Sequence, residues 1–495
     1  MKKEIQSAAA HTFVNPLPLP SIPRGKDEWY PFEHGMFSHE NKPEAVSGSD
    51  YRSISDPTVF YHEGKWYLYP SYGMAWVSED FESWQHVRTE PYCPKYSPCI
   101  IPWGNRFLLT AWYCPLYVAD DPLGPFTCLG DFIGLDGEPF TPCDPCLFAD
   151  DDGRIYMMAF MMEEADNHQH AICKIVGYEL DRERPTQVVQ GPIDLIRMNP
   201  EKNPWERQVL YNQDPTFGWV EGPHLFKENG RYYLIYAAPD TCHANYAMAV
   251  YYSDVSPLSG FVCQKKNPLT VHTTGIVTGA GHGCVARGPN GTLWAFYTLV
   301  TACTHRYERR IGMDLCAIDE NGELYCPHGV TDTPQYIPGY RADAILENSP
   351  HLVSLTGGIR PTASSEKEGH LAIYATNENN QCWWQPAEGD PKPQLECEFS
   401  NIFTASAVRI FWKEIGLDYQ NGILPEPIGF RLEGFYDGAW FTLVDNTAPR
   451  EEKNIDYHIF ADARCQKVRL TLQKPKKIGV GVIDLAVFGT YKKGE

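Results

Sequence analysis

The chain has 495 residues, with 42 Lys and Arg against 63 Asp and Glu, a formal net charge of −21 and 43% hydrophobic residues. That length accommodates roughly two to four domains with cores large enough to fold without disulfides or metal. The acidic balance repels phosphate backbones and anionic lipid, which excludes nucleic acid and a membrane surface as principal partners.

Met1–Ala10 carries two lysines followed by Glu4 and leads into the proline-rich stretch Pro16–Pro23 without an apolar run. It does not read as a secretory leader, and no later window approaches the ~18 apolar residues of a membrane span. The 16 cysteines lack framework spacing and suit reduced thiols, so the expected location is the cytoplasm. Cys143 and Cys146 form a lone C-x-x-C with no second ligand pair for zinc.

Residues 1–44 read as an N-terminal extension expected to pack on the domain behind it. Beyond them, short alternating apolar runs bounded by turn residues fill the chain, with 13% aromatics and 40 each of Gly and Pro. This is an all-β signature. One unit recurs: a small or acidic residue, Pro or Gly, an apolar pair, a turn containing Gly, then an aromatic-rich strand. Its copies are Asp56–Tyr69, Ser97–Trp112, Asp144–Phe160, Glu221–Tyr236 and His282–Tyr297, turning at Gly64, Gly104, Gly153, Gly230 and Gly291. Weaker motifs between copies read as outer strands. The repeat predicts a five-bladed β-propeller over residues 45–340. From Ser354 the rhythm changes to strands at Leu395–Phe399, Ala407–Trp412, Gly429–Tyr436, Trp440–Val444, Lys467–Leu472 and Val482–Gly489, predicting a jelly-roll β-sandwich over 345–492.

Equivalent positions of propeller blades face the same central channel. Asp56, Asp144 and Glu221 each open a repeat, so three carboxylates from separate blades are expected in one funnel. Singly, each reads as a turn or cap residue; together they predict convergence. Crowded carboxylates drive at least one to hold a proton near neutral pH, which is the pairing that glycoside hydrolysis requires: a protonated acid on the leaving oxygen and an ionised base opposite.

The motifs Ser55-Asp56-Pro57-Thr58, Cys143-Asp144-Pro145-Cys146 and Glu221-Gly222-Pro223-His224, in that order over about 300 residues, resemble glycoside hydrolase family 43, whose members are five-bladed propellers. The resemblance implies Asp56 as general base, Glu221 as general acid and Asp144 as modulator of the acid's pKa. It also implies inversion, with carboxyl groups about 6.5–9.5 Å apart around a water. No cofactor is required by this chemistry. His282, at the fifth equivalent position, is implied to lie under the site and to hold a water or a structural calcium ion, whose oxygen ligands do not show in the sequence. Tyr96 is implied to stack on sugar, with packing as the competing reading. One of Arg306, Arg309 and Arg310 is implied to serve substrate or acid, and Arg306 is preferred. Cysteines at 143, 146 and 284 replace the more familiar serine or acidic residues.

The final module, through Ala375–Pro386, Arg431–Gly438 with Trp440, and Val487–Gly489, resembles the discoidin-like sandwich also used as a family 32 carbohydrate-binding module. Trp383 and Trp384 are then sugar-stacking or structural. The functional expectation is an inverting exo-glycosidase that removes terminal α-L-arabinofuranosyl residues from plant-derived oligosaccharides. β-D-Xylosidase and β-galactosidase activities are the alternatives within this chemistry. A phosphorylase needs a basic cluster where Asp56 stands, and a non-catalytic carbohydrate-binding propeller has no use for the trio.

Overall fold

The computed structural model of the chain describes residues 6–20, 53–71, 74–89, 96–164, 171–208, 215–301, 303, 307–340, 347–418, 423–473 and 475–490. Five four-stranded antiparallel sheets follow one another, each made of four strands consecutive in sequence. Their first strands, Thr58–His62, Cys99–Trp103, Cys143–Ala149, Glu221–Glu228 and Gly281–Arg287, touch in order around an axis and close with blade 5 against blade 1. The architecture is an all-β five-bladed propeller followed by a β-sandwich, and no helix among the described residues is long and apolar enough to cross a membrane.

The local chemistry explains the blades. Each first hairpin turns on a glycine at positive φ: Gly64, Gly104, Gly153, Gly230 and Gly291, where a side chain is disfavoured. The second strands are the most apolar, and Ile155–Ala159, Tyr232–Ala238 and Leu293–Val300 are buried throughout. Sandwiched between neighbouring blades, they bury both faces and lose the polar alternation of a half-exposed strand.

Because every blade is sequential, no exchanged strand among the described residues ties blade 5 to blade 1. The described N-terminal segment spans this seam instead. Leu17 N–H donates to Ile311 O at 2.8 Å in blade 5, and Trp76 Nε1 in blade 1 donates to Pro20 O at 2.9 Å. Phe13, Leu17 and Leu19 enter an apolar cluster shared by both blades. Asn15, fully buried, donates to Met313 O at 2.9 Å and Thr331 O at 3.0 Å and accepts from Met313 N–H at 3.0 Å. Its own carbonyl accepts from Arg409 of the sandwich at 2.8 Å.

The C-terminal sheet runs in the order 353–354, 479–490, 394–415, 455–472, 430–436, 439–446, with 362–363 pairing 394–415. The two strands expected at Leu395–Phe399 and Ala407–Trp412 are one strand, Gln394–Ile415, bent by register shifts between Glu398 and Phe403 and between Ala405 and Ala407. The polar Ser400-Asn401 falls within the first of these irregularities. Trp384 is fully buried, and Trp383 lies between the His370 ring, 4.3 Å away, and the Lys413 ammonium, 5.0 Å away. Trp384 is thus core, while Trp383 is half-buried and packed against these two side chains. Ile276 of the propeller packs with Phe411, Ile455 and Ile483 of the sandwich, so the two modules share a core.

Candidate active site

At the start of the inner strands the backbone does something unusual in all five blades. Asp56, Ser97, Asp144, Gly222 and His282 have φ of 53°, 52°, 46°, 54° and 32°. Four are not glycine, and this left-handed region disfavours them. Such strain persists only where the surroundings over-determine it, typically at functional sites. In blades 1 to 4 the next residue is proline (57, 98, 145, 223). The left-handed turn rotates the chain so that the side chain at this point enters the channel mouth.

The alignment differs from the sequence expectation in one respect. Gly222, not Glu221, occupies the repeat position in blade 4, and Glu221 stands one residue earlier. A Cβ on Gly222 would lie 2.6 Å from the His282 ring, so the position is kept bare and the carboxylate is displaced along the strand. Aligning the repeats on their prolines rather than on the acidic residues reveals this offset.

Asp56, Asp144 and Glu221 line one cavity of about 380 Å³, walled by Trp112, Tyr113, Phe160 and Trp219. Asp56 is 5% exposed. Its Oδ2 accepts from Ser71 Oγ at 2.7 Å and Ser55 Oγ at 2.8 Å. Its backbone N–H donates to Thr298 Oγ1 at 2.8 Å. His282 Nδ1 and an Arg309 guanidinium nitrogen lie 3.4 and 3.9 Å from Oδ1. Burial works to raise this pKa, but His282, Arg309 and the two serine hydroxyls together outweigh it and hold Asp56 below the ordinary carboxylate range. Burial also drives His282 towards its neutral form, more than Asp56 opposes. The histidine therefore acts on Asp56 as an N–H dipole from Nδ1, while Nε2 accepts from Ser97 Oγ at 3.0 Å, and the net positive charge is Arg309's.

Glu221 is in the opposite state. Burial and, less strongly, the charges of Asp240 and Asp56 raise it, hydrogen bonds from Tyr246 and Trp219 pull it down, and the balance stands at about 7. Tyr246 OH donates to Oε1 at 2.6 Å and Trp219 Nε1 to Oε2 at 2.7 Å, so both carboxyl oxygens are fixed. Asp144 is raised well above its usual value by burial, then by Glu221 and Asp56, against a backbone hydrogen bond from Gly222. Asp144 and Glu221 thus form a coupled pair that retains proton, facing an ionised Asp56.

Of the other residues singled out in the sequence, Tyr96 lines the cavity but is 8% exposed, with the Arg309 guanidinium 5.5 Å from its ring centroid. It is a pedestal for that arginine. Arg306 lies outside the described residues; among the described residues Arg309 is the arginine beside Asp56. Arg310 faces the other way and donates to Asn454 Oδ1 of the sandwich at 2.6 and 3.0 Å. Both nitrogens of His282 face protein partners, Nδ1 towards Asp56 and Nε2 towards Ser97. A calcium ion beneath it would rest on oxygen ligands and water. No group of three or more His, Cys, Asp or Glu suited to an ion occurs among the described residues. Trp219, Tyr246 and Asp240 were not singled out from the sequence. All three lie in loops flanking the strands of blade 4, and their placement beside Glu221 depends on the closed fold.

A family model described as glycosyl hydrolases family 43 matches residues 38–324, more than half of the chain. The chain belongs to glycosyl hydrolases family 43. A protein of Butyrivibrio fibrisolvens named xylosidase/arabinosidase is 32% identical over 138 residues, covering 28% of this family 43 chain and 22% of that protein. A family 43 structure from Bacillus licheniformis covers 97% of this chain and all of its own, at 14% identity and a TM-score of 0.46. A xylan β-1,4-xylosidase from Bacillus halodurans covers 88% of this chain and 98% of its own, at 14% identity and a TM-score of 0.45.

Proposed function

We propose that this family 43 hydrolase is an inverting exo-glycosidase that removes a terminal pentose, α-L-arabinofuranose before β-D-xylose, from short plant-derived oligosaccharides. The observation that carries the mechanism is the opposed protonation of two carboxyls in one cavity. Asp56, held ionised by Arg309 and two serines, takes a proton from water as the water attacks the anomeric carbon. Glu221, protonated up to about pH 7, delivers its proton to the leaving oxygen. Asp144 shares the retained proton and, through its hydrogen bond from Gly222, fixes the strand next to the acid.

A cavity of about 380 Å³ lies at the small end of ligand pockets, which supports binding of one sugar unit and therefore exo action. The name of the Butyrivibrio relative, xylosidase/arabinosidase, supports both pentoses. All described cysteines are free thiols, which supports a reducing compartment. We assign the sandwich a bracing role, since Trp384 is core and Trp383 packs against His370 and Lys413. This reading is tested with nitrophenyl α-L-arabinofuranoside, β-D-xyloside and β-D-galactoside. Arabinofuranoside turnover that is phosphate-independent and abolished by Asp56→Asn supports it; no turnover of any pentoside refutes it.

A further inference from the structure

The carboxylates stand at the heads of inner strands that are the edges of their sheets. Alternate N–H and C=O groups of an edge strand have no ladder partner. Two residues after each left-handed position, one side-chain layer beneath the cavity, a side chain reaches across to the backbone of the next blade. Thr58 Oγ1 donates to Pro98 O at 2.7 Å, joining blade 1 to blade 2. Cys99 Sγ accepts from Leu147 N–H at 3.1 Å, and Cys146 Sγ accepts from Leu225 N–H at 3.3 Å. His224 Nε2 lies 3.3 Å from Val285 O, to which it donates. Cys284 Sγ accepts from Val59 N–H at 3.2 Å and returns the circuit to blade 1. The five contacts form a closed ring.

We propose that Thr58, Cys99, Cys146, His224 and Cys284 are positioning residues that set the spacing of Asp56, Asp144 and Glu221 by clasping each inner strand to the next just below the carboxylates. The proposal rests on the glycosidase reading above. It accounts for the cysteines at 99, 146 and 284: the long C–S bond and large sulfur atom let a short side chain reach a neighbouring backbone while packing as an apolar group. It also accounts for how the site stays assembled without strand exchange at the seam. Asp56 meets Thr298 and His282 of blade 5 there, and Cys284 supplies the clasp two residues below His282.

The test compares Cys146→Ala and Cys146→Ser with the wild-type full chain, on a pentoside that the wild type cleaves. Glu221 faces Tyr246, Trp219, Asp240, Asp56 and Asp144, with the thiols of Cys143 and Cys173 nearby. Its titration therefore reports small changes in spacing. Cys146→Ala is expected to lower kcat about tenfold to a hundredfold, as a misplacement of up to ~1 Å does, with KM little changed and the alkaline limb of the pH profile displaced. Cys146→Ser, which keeps an acceptor for Leu225 N–H, is expected to restore most of kcat and the limb. An alanine variant that melts earlier yet keeps wild-type kcat and limb reduces the ring to a structural clasp and overturns the proposal. If Cys146→Ala does not fold, Cys284→Ala tests the same claim at the seam, where the acidic limb governed by Asp56 is the one expected to move. A wild type inactive on every glycoside refutes the glycosidase reading and this role with it; an active wild type with unaffected variants refutes the ring alone.

Discussion

Tyr246→Phe removes one oxygen and leaves the ring in place. Tyr246 OH donates to Glu221 Oε1 at 2.6 Å, and this bond favours the ionised form, so its loss raises the pKa of the acid. A hydrogen bond to a charged group contributes about 1.5–3 kcal/mol, and one pKa unit corresponds to about 1.4 kcal/mol. Glu221 stands at about 7 in the intact site, so the variant should carry it about one to two units higher. The acid works only while protonated. The alkaline limb of kcat/KM should therefore move upward, to between about pH 8 and pH 9, while the acidic limb, set by Asp56, stays in place. The assay is a pH profile on a substrate with a sugar leaving group, because a nitrophenolate needs little protonation and masks the acid. An unmoved alkaline limb, or one displaced downward, would refute the claim that Tyr246 tunes the proton donor.

Arg309→Met removes the positive charge 3.9 Å from Asp56 Oδ1. The folded-state pKa of the base then rises by about one to three units, so activity at low pH is lost first and the acidic limb of kcat/KM moves upward. Gly222→Ala places a Cβ 2.6 Å from the His282 ring at a φ of 54°; kcat should fall about a hundredfold in a protein that still unfolds cooperatively by circular dichroism. Asn15→Ala leaves Met313 N–H without its side-chain acceptor and removes the contacts to Met313 O and Thr331 O that hold the N-terminal segment on blade 5. Urea unfolding should show a loss of about 2–4 kcal/mol, with kcat/KM of the folded enzyme retained.

The blades were legible because their cause is local. Gly64, Gly104, Gly153, Gly230 and Gly291 each take the positive φ that a tight hairpin demands, and aromatic strands follow them. Convergence of Asp56, Asp144 and Glu221 followed from repetition. The details that distinguish acid from base were not legible, because they depend on backbone conformation and closure. The one-residue offset of Glu221 is set by Gly222 at a left-handed turn. Arg309 and Arg310 are adjacent on one strand, Arg309–Ile318, and point to opposite faces. Composition alone cannot say which meets Asp56 and which meets Asn454. Trp219, two residues before Glu221, and Tyr246, 25 residues after it, each take a different oxygen of its carboxyl group. Residues 6–20 were expected to pack on the propeller, but their specific contacts were hidden for a similar reason: a proline-rich segment shows no strand pattern, yet its Asn15 joins blade 5 to the sandwich.

The central claim is that water attacks directly, activated by Asp56, while Glu221 protonates the leaving group. Time-resolved proton NMR of the first sugar released from an α-L-arabinofuranoside tests it most directly, before mutarotation blurs the signal. Direct displacement by water predicts β-L-arabinofuranose as the first-formed product. Appearance of the α anomer first would mean a covalent glycosyl intermediate and would contradict the claim.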